Sequence, residues 1–125
     1  MLKKTLISLA AMAVLSSAAS IPATAHHSTG AFYSDERMDV EGDVVEFLYV
    51  NPHGQLVIQD ASSTYWVGEM GSVLGLQRAG LSKAKLPAGS HIKINAQKSR
   101  DGSNRVFIRQ ILKDGEEIYT NEPTK

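Results

Sequence analysis

The stretch MDVEGDVVEFLYVNPHGQLVIQD, residues 38–60, decides the fold. Val40 and Val44 share one parity; Val45, Phe47 and Tyr49 share the other. Alternation at a period of two is the mark of a half-buried strand. Here the apolar face switches at Val44-Val45, with Gly42 just before. A strand that changes face needs a bulge or a sharp bend. Residues 38–50 therefore read as one long bent strand. Asn51-Pro52-His53-Gly54 is the turn that follows. Gln55 to Asp60 is a second strand, with Leu56 and Ile58 on one side.

The same signals continue outward. Ala61-Ser62-Ser63 is a short turn, and Thr64 to Met70 a third strand carrying Tyr65, Trp66 and Val67. Ser72 is placed as an N-cap, with Val73, Leu74 and Leu76 on one face of a short helix ending at Gly80. Gly75 weakens that helix by about 1 kcal/mol relative to Ala. After the turn Leu86-Pro87-Ala88-Gly89, His91 to Lys98 alternates cleanly as a fourth strand. Asp101-Gly102 makes a hairpin loop, Arg105 to Leu112 a fifth strand, and Asp114-Gly115 another turn. Glu117 to Thr120 adds a short edge strand, and residues 121–125 a tail. Upstream, residues 26–38 form an arm pinned by Phe32 and Tyr33. The expected fold is mainly β, an OB-like five-stranded antiparallel barrel over residues 39–120 with one short helix between strands three and four. The alternative is an open antiparallel sheet with a helix on one face.

The chain has 125 residues, 42% hydrophobic and 21% charged, with 13 basic and 13 acidic side chains. That suits one globular domain. The balanced charge argues against nucleic acid as a partner, which needs a basic face. There are no cysteines, so disulfides, thiolate metal sites and Cys nucleophiles are excluded. Residues 1–25 have the form of a signal peptide. Lys3 and Lys4 precede the uncharged run Leu6 to Leu15, which is shorter than the ~20 apolar residues of a membrane span. Pro22 and Ala23-Thr24-Ala25 follow, small residues standing where a signal peptidase reads. Cleavage after Ala25 would leave 100 residues with 11 basic and 13 acidic side chains. The expectation is a periplasmic or secreted protein without stable membrane insertion.

That cleavage would make His26 the new N-terminus, with His27 beside it. A terminal histidine offers its amine and its ring Nδ1, and a second imidazole would complete a flat set of three nitrogens. Such a set suits Cu(II). The amine and imidazole both lose their protons at little cost near pH 7. His53, behind Pro52 in the first hairpin loop, is the candidate for that second imidazole. A meander puts the ends of strands one and three at one pole, so Glu69 and Ser72 should lie near His53. Glu69 could orient a ligand ring or occupy an outer position. His27 offers a rival chelate through the amine, its own amide nitrogen and its own ring. Copper is the expected cofactor, and an envelope protein the expected macromolecular partner.

Simpler readings stand beside these. His26 and His27 also suit a soluble start of the chain, and His53 a turn residue bonded to its own backbone. His91 falls on the polar face of its strand. Lys98-Ser99-Arg100-Asp101 reads as a solvated loop. Tyr49, Tyr65 and Trp66 belong to the core or to a stacking surface for a small ligand or glycan, which would make the protein a non-metal binding module. No nucleophile elbow, HExxH, P-loop or GxGxxG occurs.

These residues resemble a bacterial family of small exported proteins classed as a domain of unknown function. The resemblance rests on His26-His27-Ser28, on Asn51-Pro52-His53 after the first long strand, and on Trp66 and Glu69 on the next hairpin. It continues through Gly71-Ser72, Gly80, Leu86-Pro87-Ala88-Gly89 and Asp101-Gly102-Ser103. Val73 stands where the family tends to have Pro, and Leu81 where an aromatic is common. The resemblance implies export and a compact β-rich domain, and no particular activity.

Overall fold

A computed structural model describes residues 29–122. The chain enters through a single helical turn, α1 (Thr29–Phe32), and passes into β1 (Tyr33–Leu48). It continues through β2 (Gln55–Asp60), β3 (Tyr65–Glu69), α2 (Val73–Arg78), β4 (His91–Ser99), β5 (Arg105–Lys113) and β6 (Glu116–Thr120). A short 3-10 turn at Lys83–Lys85 lies between α2 and β4. No described helix is long and apolar enough to cross a membrane.

The hydrogen-bonded order is β3-β2-β1-β4-β5-β6, and β3 also pairs in parallel with β5 through Val67↔Arg105 and Glu69↔Phe107. That last pairing turns β1 to β5 into a ring. The fold is thus mainly β and barrel-like, with α2 between β3 and β4. β6 is a sixth strand, antiparallel to β5, and it buries Tyr119.

The long first strand bends where its sequence requires. The β1–β2 register slips between Val44 and Glu46. Val44 is buried, Val45 turns outward, and Phe47 returns to the core. The extra residue lets β1 face the interior on both sides of the bend. Gly42 sits where β1 and β2 approach most closely: a Cβ there would lie 2.2 Å from the Gln59 carbonyl oxygen. β1 also begins earlier than its composition suggests. Tyr33 pairs with Ser99 and Arg37 with Gln97, so much of the expected arm over 26–38 is strand. The polar run Ser34-Asp35-Glu36-Arg37 hides it, because an exposed strand carries no apolar period.

Leu56, Ile58, Ile92, Ile94, Ile108 and Ile111 fill the barrel, and Leu76, Leu81 and Leu86 close it from the α2 side. The helix buries Leu76 alone; Leu74, expected on the same face, is exposed. The predicted cap is present, with the Ser72 hydroxyl accepting from Gly75 N at 3.2 Å. Asn51 Oδ1 accepts from Val73 N, which ties the first hairpin loop to the start of the helix.

Candidate functional site

The hairpin ladder between β2 and β3 runs on past both strands. Gly54 N donates to Gly71 O, and Met70 N to Gly54 O, both at 2.9 Å. His53 is thereby held beside the end of β3. Its Nδ1 lies 3.1 Å from the Met70 carbonyl oxygen and 3.6 Å from Glu69 Oε1. A carbonyl can only accept, so Nδ1 carries a proton in this contact. Sequence reasoning placed His53 and Glu69 at one pole, and the structure brings them together.

Glu69 is the hub of this corner. Tyr33, the first residue of β1, donates its hydroxyl to Glu69 Oε2 at 2.6 Å. Arg105, the first residue of β5, brings a guanidinium nitrogen within 3.9 Å of the same oxygen. Burial pushes the Tyr33 phenol up to about 12, and the bond to Glu69 and its negative charge add to the shift; Arg105 opposes it. The phenol is therefore a fixed donor at any ordinary pH. Its ring also packs against Phe107, with centroids 5.6 Å apart.

These groups line a cleft of about 430 Å³ whose other wall is Phe32 and the β4–β5 loop, Ser99-Arg100-Asp101. That loop is ordered by its own side chains. Asp101 Oδ1 accepts from the Ser99 hydroxyl at 2.5 Å and from Ser103 N at 2.9 Å. The Ser99 bond and those of Ser103 hold the Asp101 carboxyl at about 2. Arg100 grips the entering chain: its backbone N donates to Phe32 O, and its Nε to Gly30 O, both at 2.9 Å. The stretch read as a solvated loop is the cleft's outer wall. Neither Tyr33 nor Arg105 was legible as a site residue. They reach Glu69 only because β1 and β5 both start at this end of the ring.

His26 and His27 lie outside the described residues. Among the described residues, no group of three or more His, Asp or Glu side chains could hold a metal ion. His53 and Glu69 can contribute one imidazole and one carboxylate, and any further donors must come from elsewhere in the chain.

Of the three aromatic residues read as core or stacking surface, Tyr65 is 55% exposed. Tyr49 and Trp66 pack against the core. The Tyr49 hydroxyl donates to Leu81 O, and Trp66 Nε1 to Asp60 Oδ2 at 2.9 Å. The Trp66 bond is the main reason the Asp60 carboxyl titrates low. His91 is exposed, as its parity implies, with Nδ1 2.8 Å from Asp43 Oδ1 and Nε2 3.0 Å from Glu41 Oε1.

Comparison with curated proteins and with solved structures found no match. A family model does match, over residues 13–108, a span that takes in His26, His27, the Asn51-Pro52-His53 turn and Glu69. The chain belongs to the family of unknown function DUF6152.

Proposed function

We propose that this chain is an exported periplasmic protein that binds a divalent metal, Cu(II) by preference, as a carrier, buffer or chaperone. His26, freed by cleavage after Ala25, supplies its amine and ring nitrogen. His53 supplies the opposing ring, His27 helps or substitutes, and Glu69 orients the site or acts as a weak ligand. The observation that carries this reading is the position of His53. The turn holds its ring beside the end of β3, with Nδ1 3.1 Å from the Met70 carbonyl oxygen and 3.6 Å from Glu69 Oε1. A second observation supports it. α1 itself is held on the same cleft by Arg100 through Gly30, and Phe32 lines that cleft. His26 is three residues before Thr29, so it lies within about 11 Å of it along an extended chain.

The test is the intact mass of the exported protein with and without one equivalent of Cu(II). A mass beginning at His26, with stoichiometric copper that is lost in His53→Ala, supports the two-histidine site. Copper lost in His27→Ala alone points to the local chelate. One added residue before His26 should abolish terminal coordination. A different N-terminus, or no copper bound at micromolar concentration, sinks the metal reading. The competing reading is a non-metal module for a small ligand, glycan or envelope protein, and it is favoured by the arginines on the same cleft.

A further inference from the structure

The cleft beside Glu69 carries two guanidinium groups that the fold uses only in part. Arg105 is about half exposed, at 47%. Among the described residues its polar neighbours are Tyr33 and Glu69, both on its inner side. A guanidinium has five N–H donors in a planar fork, and two neighbours cannot take them all. Arg100 spends Nε on Gly30 O. Among the described residues that is the one hydrogen bond its guanidinium makes, so both terminal nitrogens remain to donate. Both side chains line the same cleft.

Two carboxylates share that lining, and both are already engaged. Glu69 accepts the Tyr33 hydroxyl through Oε2, while its Oε1 faces His53. Asp101 Oδ1 accepts from Ser99 and Ser103. Glu69 also stands 3.9 Å from one terminal nitrogen of Arg105, a loose pair that leaves most of that fork's donors, and the terminal nitrogens of Arg100, for a ligand. The rest of the lining is His53, Ser99 and the rings of Phe32 and Tyr33. Phe32 is 68% exposed although it closes a helical turn and precedes a buried tyrosine. An aromatic ring left in solvent beside two arginines makes a surface for a ligand with an anionic end and an apolar body.

We infer that the cleft lined by Phe32, Tyr33, Arg100 and Arg105 binds a small organic carboxylate, its anionic end on the two guanidinium groups and its apolar body against Phe32. Planar guanidinium and planar carboxylate match in a two-point bond. The volume, about 430 Å³, is in the range of small-molecule sites and much larger than a bare ion needs. The site requires neither the N-terminal histidines nor a metal, so it stands or falls apart from the copper reading.

The test uses the exported full chain in excess chelator, with benzoate as the probe, followed by NMR shifts of the backbone amides. Saturable shifts confined to Phe32, Tyr33 and residues 99–105 are expected, with a Kd of about 1 mM for a probe of this size. Arg105→Gln should weaken binding about tenfold or more, since a charge-assisted bond is lost. Arg105→Lys should fall between, and Arg78→Gln on α2 should change nothing. Benzamide, which lacks the charge, and acetate, which lacks the body, should each bind at least tenfold more weakly. Unchanged melting temperature in Arg105→Gln separates loss of the site from loss of the fold. Shifts absent or unsaturated to about 20 mM overturn the inference, as do equal affinities for benzamide or in Arg105→Gln. Acetate binding as tightly as benzoate overturns the apolar wall.

Discussion

Two corners of this barrel each set a histidine beside carboxylates, and they differ in which nitrogens the carboxylates take. His53 gives Nδ1 to a backbone carbonyl, with Glu69 Oε1 at 3.6 Å. His91 meets Asp43 with one nitrogen and Glu41 with the other. The first arrangement asks for an N–H on Nδ1. The second favours the imidazolium, because two acceptors need two N–H donors. Burial differs as well: the His53 side chain is 29% exposed and that of His91 62%. Nearness to acidic side chains therefore does not by itself make two histidines alike: one is held through a backbone carbonyl, the other between two carboxylates.

The comparison can be broken hardest at the glycines on which each corner closes. Gly42 stands between Glu41 and Asp43, and a Cβ there meets Gln59 backbone at 2.2 and 2.8 Å. Backbone cannot rotate away, so Gly42→Ala should cost about 3 kcal/mol, the upper part of the overpacking range. Gly68 precedes Glu69, and its Cβ would meet the Ile108 side chain at 2.4 Å. That side chain can shift within the core, so Gly68→Ala should cost nearer about 1 kcal/mol. Urea unfolding of the two variants reads the difference; equal losses would mean that β1 and β2 have more freedom than their contact implies.

Next in size is the contrast in metal binding. Under the copper reading, His53→Ala should lower Cu(II) affinity by about a hundredfold, as the loss of one ligand with its oriented ring implies. His91→Ala should leave it within about twofold, both ring nitrogens being held by carboxylates in the wild type. Competition with a chromogenic chelator measures both. Equal losses would erase the distinction drawn between the two histidines.

How much of this was legible depends on how local the signal is. The bulge was readable because Val44-Val45 breaks parity within five residues of Gly42. The meeting of His53 and Glu69 was readable because a meander with a tight turn returns its strands to one pole. The N-cap at Ser72 needed only its own neighbours. By contrast, the parallel pairing of β3 with β5 joins Val67 to Arg105 and leaves no trace in either segment. Arg105 therefore looked like an ordinary strand start. Tyr33 was read as an anchor for the arm, which it is, but its partner Glu69 lies 36 residues away. The early start of β1 was hidden for another reason: its first residues, Ser34 to Arg37, face solvent. Lys98 pairs with Glu36 there, so cross-strand charge replaces apolar alternation.

Tyr33→Phe sharpens the contrast from the side of Glu69. The phenol makes a hydrogen bond to a carboxylate that is 22% exposed. Removing it costs a charge-assisted bond and leaves Glu69 Oε2 with Arg105 at 3.9 Å. The ring contact with Phe107 survives in phenylalanine. A loss of about 1–2 kcal/mol is expected, measured by thermal unfolding at pH 7. The same hydrogen bond can be followed in the wild type, where the Tyr33 phenol should ionise only near pH 12, well after an ordinary tyrosine. Burial is the first cause of that value and the Glu69 bond the second, so ionisation of Tyr33 near pH 10 would show that its hydroxyl is neither buried nor held as the structure has it.

The smallest effect belongs to His91, and its pH dependence is the informative part. Its bonds to Glu41 and then Asp43 raise its pKa. A raised folded-state pKa means that the folded protein holds the proton more tightly than the unfolded chain. The stabilisation is then fully present below the unfolded value near 6.5 and disappears as the pH rises through the folded one. Lys93 on the same strand is paired with Asp39, and Asp114 lies across the adjoining cleft; neither takes the ring's protons. The difference in melting temperature between wild type and His91→Gln should therefore be largest below the ordinary histidine value and shrink as the pH rises past it. Exposure and salt screening keep it small. If His91→Gln instead destabilised the protein most at high pH, the ring would be acting as a neutral donor, and the two corners would not differ in the way their hydrogen bonds imply.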